Sequence, residues 1–300
     1  MRISTNSIAS SLISEIQAAS TQQARLQQQL SSGLSVTNPS DAPATVGNVI
    51  GQTSEMSALQ QYTVNTTTAT GIAQQSYSSL TSLNSVVTSA TELATEGSNG
   101  TTSSATYEAY SSQVNQLINQ AFQTANTKYN DKYIFGGTQT GSAPFTAQYD
   151  SSGNITSVSY TGSTSAGISI PTGEGSSASP YTDGSTNQGI ADFISNMISL
   201  RGAMDSQSPT AVQATQAPLQ TSEDNVINAV SSLSAVQSGL TADQALNQSR
   251  FTSLQSQISG ETGVDVATAS VQLSQAQTAY QAALQSGAKM LQTSLLSYIQ

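Results

Sequence analysis

Side chains able to do chemistry are scarce. The chain has no His and no Cys, and 7 Lys and Arg face 17 Asp and Glu. Without His or Cys there is no imidazole base, no thiolate nucleophile and no Cys/His zinc site. Disulfides are impossible. Acid–base work by paired carboxylates would need two Asp or Glu meeting across a cleft. Glu223 and Asp224 are adjacent in sequence and read instead as a helix-start cap or as solvated side chains. A Ser nucleophile with a Lys base could draw on Lys128, Lys132 or Lys289. Ser is so common here that a Ser-x-x-Lys spacing carries little weight. Gly136-Gly137 and Gly173-Glu-Gly175 lack the Lys-Ser/Thr or the strand–helix setting of a phosphate loop and read as turns. Asp150–Asn154 has part of a calcium loop, without its run of acidic positions or its final Glu, and reads as a hairpin turn. No catalysis, cofactor or metal is expected.

Composition points the same way. Apolar residues make up 36% and charged residues 8%, against the usual ~45–50% and ~25%. Ser and Thr fill the gap at roughly 30%, unlike an ordinary enzyme surface. The cations, Arg2, Arg25, Lys128, Lys132, Arg201, Arg250 and Lys289, are scattered. They form no basic stripe of the kind that neutralises phosphates, so nucleic acid is not an expected partner. No apolar run reaches the length of a secretory h-region or a membrane span. Neither a Sec substrate nor an integral membrane protein is therefore expected. The amphipathic ends are rich in Ser and Gln rather than Lys and Arg, which favours a protein partner over a lipid surface.

The elements follow from periodicity. Residues 1–33 carry a stripe of Leu12, Ile16, Ala19, Gln23, Leu26 and Leu30, with the alternating steps of a heptad seam. Gly33 is a helix stop, and Asn38–Pro43 is a turn-rich break in which Ser40 and Asp41 can cap the next helix. Residues 44–97 read as helix, weakened at Thr66-Thr67-Thr68, and residues 104–130 as another. From about 133 to 188 short alternating runs replace the helical period. Phe145, Ala147 and Tyr149 lead into a turn, and Thr156, Val158 and Tyr160 return from it. Ile168 and Ile170 mark a further strand, so five or six short strands are expected. Helical spacing resumes near 189 and runs, past a loop at 205–209, to a break at Gly260–Gly263. The last helix, 264–298, carries Val266, Ala269, Leu273, Ala276, Tyr280, Ala283 and Gly287 on one stripe, widened by Leu284, Leu291, Leu295 and Tyr298.

This predicts a mainly α protein in three parts. Residues 1–43 with 264–300 form a terminal coiled-coil module, 44–132 with 189–263 a helical bundle, and 133–188 a β-rich outer domain. Ordinary internal core explains the middle helices. The terminal helices are thin and rich in Ala, Gly, Ser and Gln, so burial between subunits is expected for their seams. Leu12, Ile16, Leu26, Leu30, Leu273, Tyr280, Leu284 and Leu291 are the expected subunit-interaction residues.

Several blocks resemble a known family. Met1-Arg2-Ile3-Ser4-Thr5-Asn6, the stretch Leu30 to Pro43, Lys132-Tyr133-Ile134-Phe135-Gly136-Gly137-Thr138 with Pro144-Phe145, and Gln275-Ala276-Gln277-Thr278-Ala279-Tyr280 within the last helix occur in order along the chain. Together they are similar to the hook–filament junction branch of the flagellin-like family of bacterial flagella. Many relatives carry a basic residue just after the Ser-Gly turn, where this chain has Leu34-Ser35. The resemblance implies a flagellin-like fold and a secreted structural protein without catalysis, needed for filament attachment and motility. It implies unfolded, uncleaved export through the flagellar type III channel, helped by an export chaperone on the carboxy-terminal region. It further implies assembly as a short ring of eleven protofilament positions, between hook-associated protein 1 and flagellin. Residues 1–33 and 264–298 would then order on assembly. A minor flagellin shares the terminal seams but lacks the Tyr133–Gly137 block. A secreted adhesin or carbohydrate-binding protein would use 133–188 and leave the seams unexplained.

Overall fold

The structure is a computed structural model that describes residues 5–165 and 167–299, with side chains described from 10 to 289 apart from 166. Among the described residues, six helices and six short strands follow in order. They are α1 (Thr5–Ser32), α2 (Pro43–Gly97), α3 (Ser104–Ala125), β1 (Lys128–Tyr129), β2 (Lys132–Tyr133), β3 (Phe145–Tyr149), β4 (Ile155–Tyr160), β5 (Ile170–Gly173), β6 (Ser176–Ala178), α4 (Gly184–Asp205), α5 (Pro209–Thr262) and α6 (Val266–Ile299). The strands pair as three antiparallel hairpins, β1–β2, β3–β4 and β5–β6. The chain divides into two compact units, one of residues up to Ala58 with those from Phe251, the other Leu59–Arg250. The division falls inside α2 and α5.

Helix α2 runs unbroken through Thr66-Thr67-Thr68. Each of these hydroxyls donates to the carbonyl four residues back, Thr66 to Tyr62, Thr67 to Thr63 and Thr68 to Val64. The polar groups are satisfied within the helix, so weak propensity is overridden. Its start is set by Pro43, whose missing N–H costs nothing in a first turn. The Asp41 carboxylate does not cap α2 as the sequence suggests. It turns back to accept from the Asn38 N–H and the Thr37 hydroxyl, closing the preceding turn.

In the second unit a single apolar core joins α2, α3, α4 and α5 to the hairpins. Leu80, Leu83, Ile118, Phe193, Ile194, Met197 and Leu200 are fully buried there, as are Ile134, Phe135, Phe145 and Ile155 from the β segment. Each such side chain contributes about 1.5–3 kcal/mol by leaving water, so the hairpins are anchored by residues that also complete the helical core. The β segment differs from the expected 133–188 at both edges. Pairing begins at Lys128, and α4 begins at Gly184 because Asp183 caps it, accepting from the Thr186 N–H at 2.7 Å. On β4 the expected Thr156, Val158, Tyr160 face is broken by a bulge opposite Gln148 and Tyr149. Ile155 turns inward and Thr156 outward, with its hydroxyl on the Gln148 carbonyl.

Candidate assembly interface

The first unit is built on the two terminal helices. Helix α1 ends at Gly33, whose φ of +73° is a left-handed conformation that suits glycine. Its amide still donates to the Gln29 carbonyl at 2.9 Å. The chain then meets the turn between α5 and α6. The Ser35 N–H donates to the Thr262 carbonyl at 2.7 Å, and the Val264 N–H donates to the Gly33 carbonyl at 3.0 Å. Leu34 and Gly263 form the antiparallel bridge between these bonds, and the Ser35 hydroxyl adds a second donor to Thr262. Near the far end of α1, Leu12 and Ile16 lie over Gly287. A Cβ there would stand 3.0 Å from Leu12 Cδ2 and 3.7 Å from Ile16 Cδ1. With residues 33 and 264 together at one end and 12 and 287 at the other, α1 and α6 run antiparallel, side by side.

The predicted stripes are the faces turned inward. Leu12, Ile16, Ala19, Gln23, Leu26 and Leu30 are all at least half-buried on α1, and Leu26 is only 3% exposed. On α6, Ala269, Leu273, Ala276, Tyr280, Ala283 and Gly287 are likewise turned in. The two seams therefore have a partner in each other, and the expectation that they lack one inside the chain does not hold. Val266, expected on the stripe, is 58% exposed, because it is the first residue of α6. Leu284 is 44% exposed, on the flank of α6. Leu291 lies outside the described side chains. Ile13 and Val271 are also exposed on these helices.

The side chains singled out for chemistry have structural surroundings. Glu223 and Asp224 sit in mid-α5, not at a helix start. Glu223 shares an open groove of about 360 Å³ with Glu92, Glu96 and three threonines of α2. No group of three acidic side chains is placed to hold a metal among the described residues. The Lys128 ammonium stands 4.6 Å over the Tyr133 ring, joining β1 to β2. Asp150 Oδ1 accepts from the amides of Ser152 and Asn154, closing the β3–β4 turn. The backbone bond from Asn154 leads the causes that hold this carboxyl below the ordinary range. Asp183 and Asp265 are also lowered, chiefly by the Thr186 backbone amide and by the Thr268 side chain. In all three the hydrogen bonds favour the ionised form. No described helix is long and apolar enough to cross a membrane.

Two polar clusters that the sequence did not reveal fix the β segment. Arg201 of α4 donates to Asn115 Oδ1 of α3 at 2.6 Å and to the Ile155 carbonyl of β4 at 2.9 Å. Asp243 of α5 accepts from Thr172 and Ser176 of the β5–β6 hairpin. Asn247 and Asn65 donate to the carbonyls of Thr172 and Pro171. Lone polar residues on a helix give no sequence signal, because their partners lie tens of residues away.

Residues 3–140 match the bacterial flagellin N-terminal helical region. Flagellar hook-associated protein 3 of Salmonella typhimurium is 30% identical over 146 residues, covering 48% of this chain and 46% of that protein. The protein of the same name from Escherichia coli is 31% identical over 122 residues, covering 40% and 38%. Each match thus spans less than half the length of the curated relative. Among solved structures, a flagellar hook-associated protein from Vibrio parahaemolyticus superposes with a TM-score of 0.65 at 15% identity, covering 74% of this chain and 100% of that one. FlgL of Bacillus cereus gives 0.57 at 17% identity, covering 71% and 100%. The amino-terminal half of the chain is thus similar in sequence to the flagellin N-terminal helical region and to hook-associated protein 3, and the helical fold with small inserted hairpins is similar to that of solved flagellar hook-associated proteins.

Proposed function

We propose that this protein is a structural adaptor of the bacterial flagellum, polymerising at the hook–filament junction between hook-associated protein 1 and flagellin. The observation that carries the reading is the terminal unit. Its two terminal helices are charge-poor and antiparallel, with Ile13, Val271 and Leu284 left exposed on their flanks. On a flagellin-like chain similar to hook-associated protein 3, this suits repeated packing of copies in a ring better than it suits a binding cleft. The absence of Cys fits export as an unfolded chain that needs no oxidative folding. An export chaperone on the carboxy-terminal region and an extracellular position on the flagellum belong to the same proposal. So does a role in motility.

The test is deletion of the gene, with electron microscopy of the cells and an assay of flagellin in the medium. Bare hooks with flagellin shed as monomer are the expected result. Filaments of normal attachment would remove the junction role and favour a minor flagellin.

A further inference from the structure

We propose that Asn99 is a self-modification site, at which the Gly100 backbone nitrogen closes on the Asn99 side-chain amide and water then leaves aspartate or isoaspartate in its place. Asn99-Gly100 is the one Asn-Gly pair in the sequence. It lies in the loop between α2, which ends at Gly97, and α3, which begins at Ser104. Both residues are exposed. A Cβ built on Gly100 would meet nothing within 4 Å, so the space around its nitrogen is open. The turn is closed by its neighbours. The Asn99 N–H donates to the Glu96 carbonyl at 3.3 Å, and the Thr102 N–H donates to the Asn99 carbonyl at 3.1 Å. Among the described residues the Gly100 N–H has no acceptor. Of the amides from Ser98 to Thr102, only the one that would attack is unengaged.

The electrophile is prepared as well. Asn99 Oδ1 accepts from the Thr101 N–H at 3.3 Å and from the Thr101 hydroxyl at 3.0 Å. Both donors meet the oxygen that gains negative charge when a nitrogen adds to Cγ, as the donors of an oxyanion hole do. Base removes the Gly100 N–H proton, the nitrogen bonds to Cγ, and the Cγ–Nδ2 bond breaks as water protonates the departing ammonia. The cyclic imide then takes up one water. Opening between the nitrogen and Cγ gives aspartate, and opening between the nitrogen and the Asn99 main-chain carbonyl carbon gives isoaspartate. Nothing is oxidised or reduced. Either product adds a carboxylate to a chain of net charge −10. Isoaspartate also lengthens the main chain just before Ser103, whose hydroxyl caps α3 by accepting from the Thr106 N–H at 3.2 Å. The related pair Asp183-Gly184 is locked. Asp183 Oδ1 is held by the Thr186 N–H, its carboxylate has no amide to lose, and a Cβ on Gly184 would collide with the Thr164 backbone. The reaction needs only water and this loop, so its test is independent of what the protein assembles with.

The full-length chain is aged at neutral and at mildly alkaline pH, digested, and followed by mass spectrometry. The mass gain of exchanging NH2 for OH should appear first at Asn99 and faster at the higher pH. The product should contain isoaspartate, which direct hydrolysis of the side chain does not yield. Gly100→Ala fits the open turn, but its methyl group crowds the attacking nitrogen and should remove most of the conversion over the same interval. Thr101→Val removes the hydroxyl donor and keeps the backbone one. It should slow conversion by about two- to tenfold, the rate equivalent of one exposed hydrogen bond, and Thr101→Ser should restore the parent rate. Residues 98–103 include no buried side chain, so all three variants should keep the parent's circular dichroism. Conversion no faster at Asn99 than at Asn126 or Asn154 would overturn the proposal. So would a product of aspartate without isoaspartate, or a parent rate in Thr101→Val. Faster conversion in the urea-unfolded chain than in the native one would also overturn it, because the turn would then protect Asn99 rather than activate it.

Discussion

Arg201 and Asp183 do the most at the residue scale. Arg201 is one of seven cations, and its forked guanidinium joins α3, α4 and β4. Asn115, which accepts from it, donates in turn to Asn154 at the hairpin turn. Removing the guanidinium leaves the Ile155 carbonyl without this donor. Arg201→Ala is expected to cost about 1.5–3 kcal/mol, read as a lower urea midpoint. Arg201→Lys should recover less than half, because an ammonium cannot reach both acceptors as a planar fork does. A full recovery by Lys would show that charge, not the fork, is what matters. Asp183 acts through ionisation. Its folded value is depressed by the Thr186 amide, so its contribution is present above the unfolded value of about 4 and is lost as pH falls through the folded value. Asn caps a helix about as well as Asp. Asp183→Asn should leave stability at pH 7 within a few tenths of a kcal/mol, and should flatten part of the loss seen on acidification. Urea unfolding across an acid pH series decides this, and an unchanged acid slope in the variant would reject it.

At the scale of elements, the helices satisfy their polar side chains internally. Along α2 and α5 hydroxyls repeatedly donate to the carbonyl four residues back, as at Thr81, Thr88, Ser231 and Thr241. Surfaces of this kind offer salt little to screen. The Arg250–Glu174 pair is long at 3.9 Å and solvent-exposed, and such pairs contribute about 0–1 kcal/mol. Arg250→Gln should therefore change the unfolding free energy by less than about 1 kcal/mol, and the loss should not grow at low ionic strength. A larger, salt-sensitive loss would mean that the pair anchors the β5–β6 hairpin to α5. Much of this architecture was legible in advance. The seam residues from 12 to 30 and from 269 to 287 are those the helical period picks out, because an α-helix repeats its buried face at a fixed step. The strand edges were less legible. Lys128–Tyr129 is too short for a period to show, and the bulge in β4 turns Thr156 out of the face that Val158 and Tyr160 keep. Pro218 stands inside α5, where Ser222 and Asn196 donate to its carbonyl. The two ends were grouped in one module, but burial of their seams was assigned to other subunits, because heptad spacing states that a face is buried and not against what.

For the molecule as a whole, the open question is which surface of the terminal unit is spent inside the chain and which remains for other copies. Leu26 and Leu284 separate the two. Leu26 is buried on the face of α1 turned to α6, whereas Leu284 is 44% exposed. A carboxylate in place of Leu26 would be buried without a partner, which costs several kcal/mol. Leu26→Asp should therefore unpair the terminal helices in the monomer, seen as lost helical signal and faster hydrogen exchange in residues 10–32 and 266–289. The unit from Leu59 to Arg250 should stay folded, since its core is its own. Leu284→Asp places the new charge in water and should leave the monomer's exchange pattern unchanged. If the flank bearing Leu284 is where copies meet, that variant should nonetheless fail to polymerise, because assembly would bury the carboxylate. A Leu284→Asp protein that polymerises like the parent would show that the flank faces solvent in the assembly too. The contacts between copies would then have to be sought elsewhere, beginning with exposed Ile13 on α1.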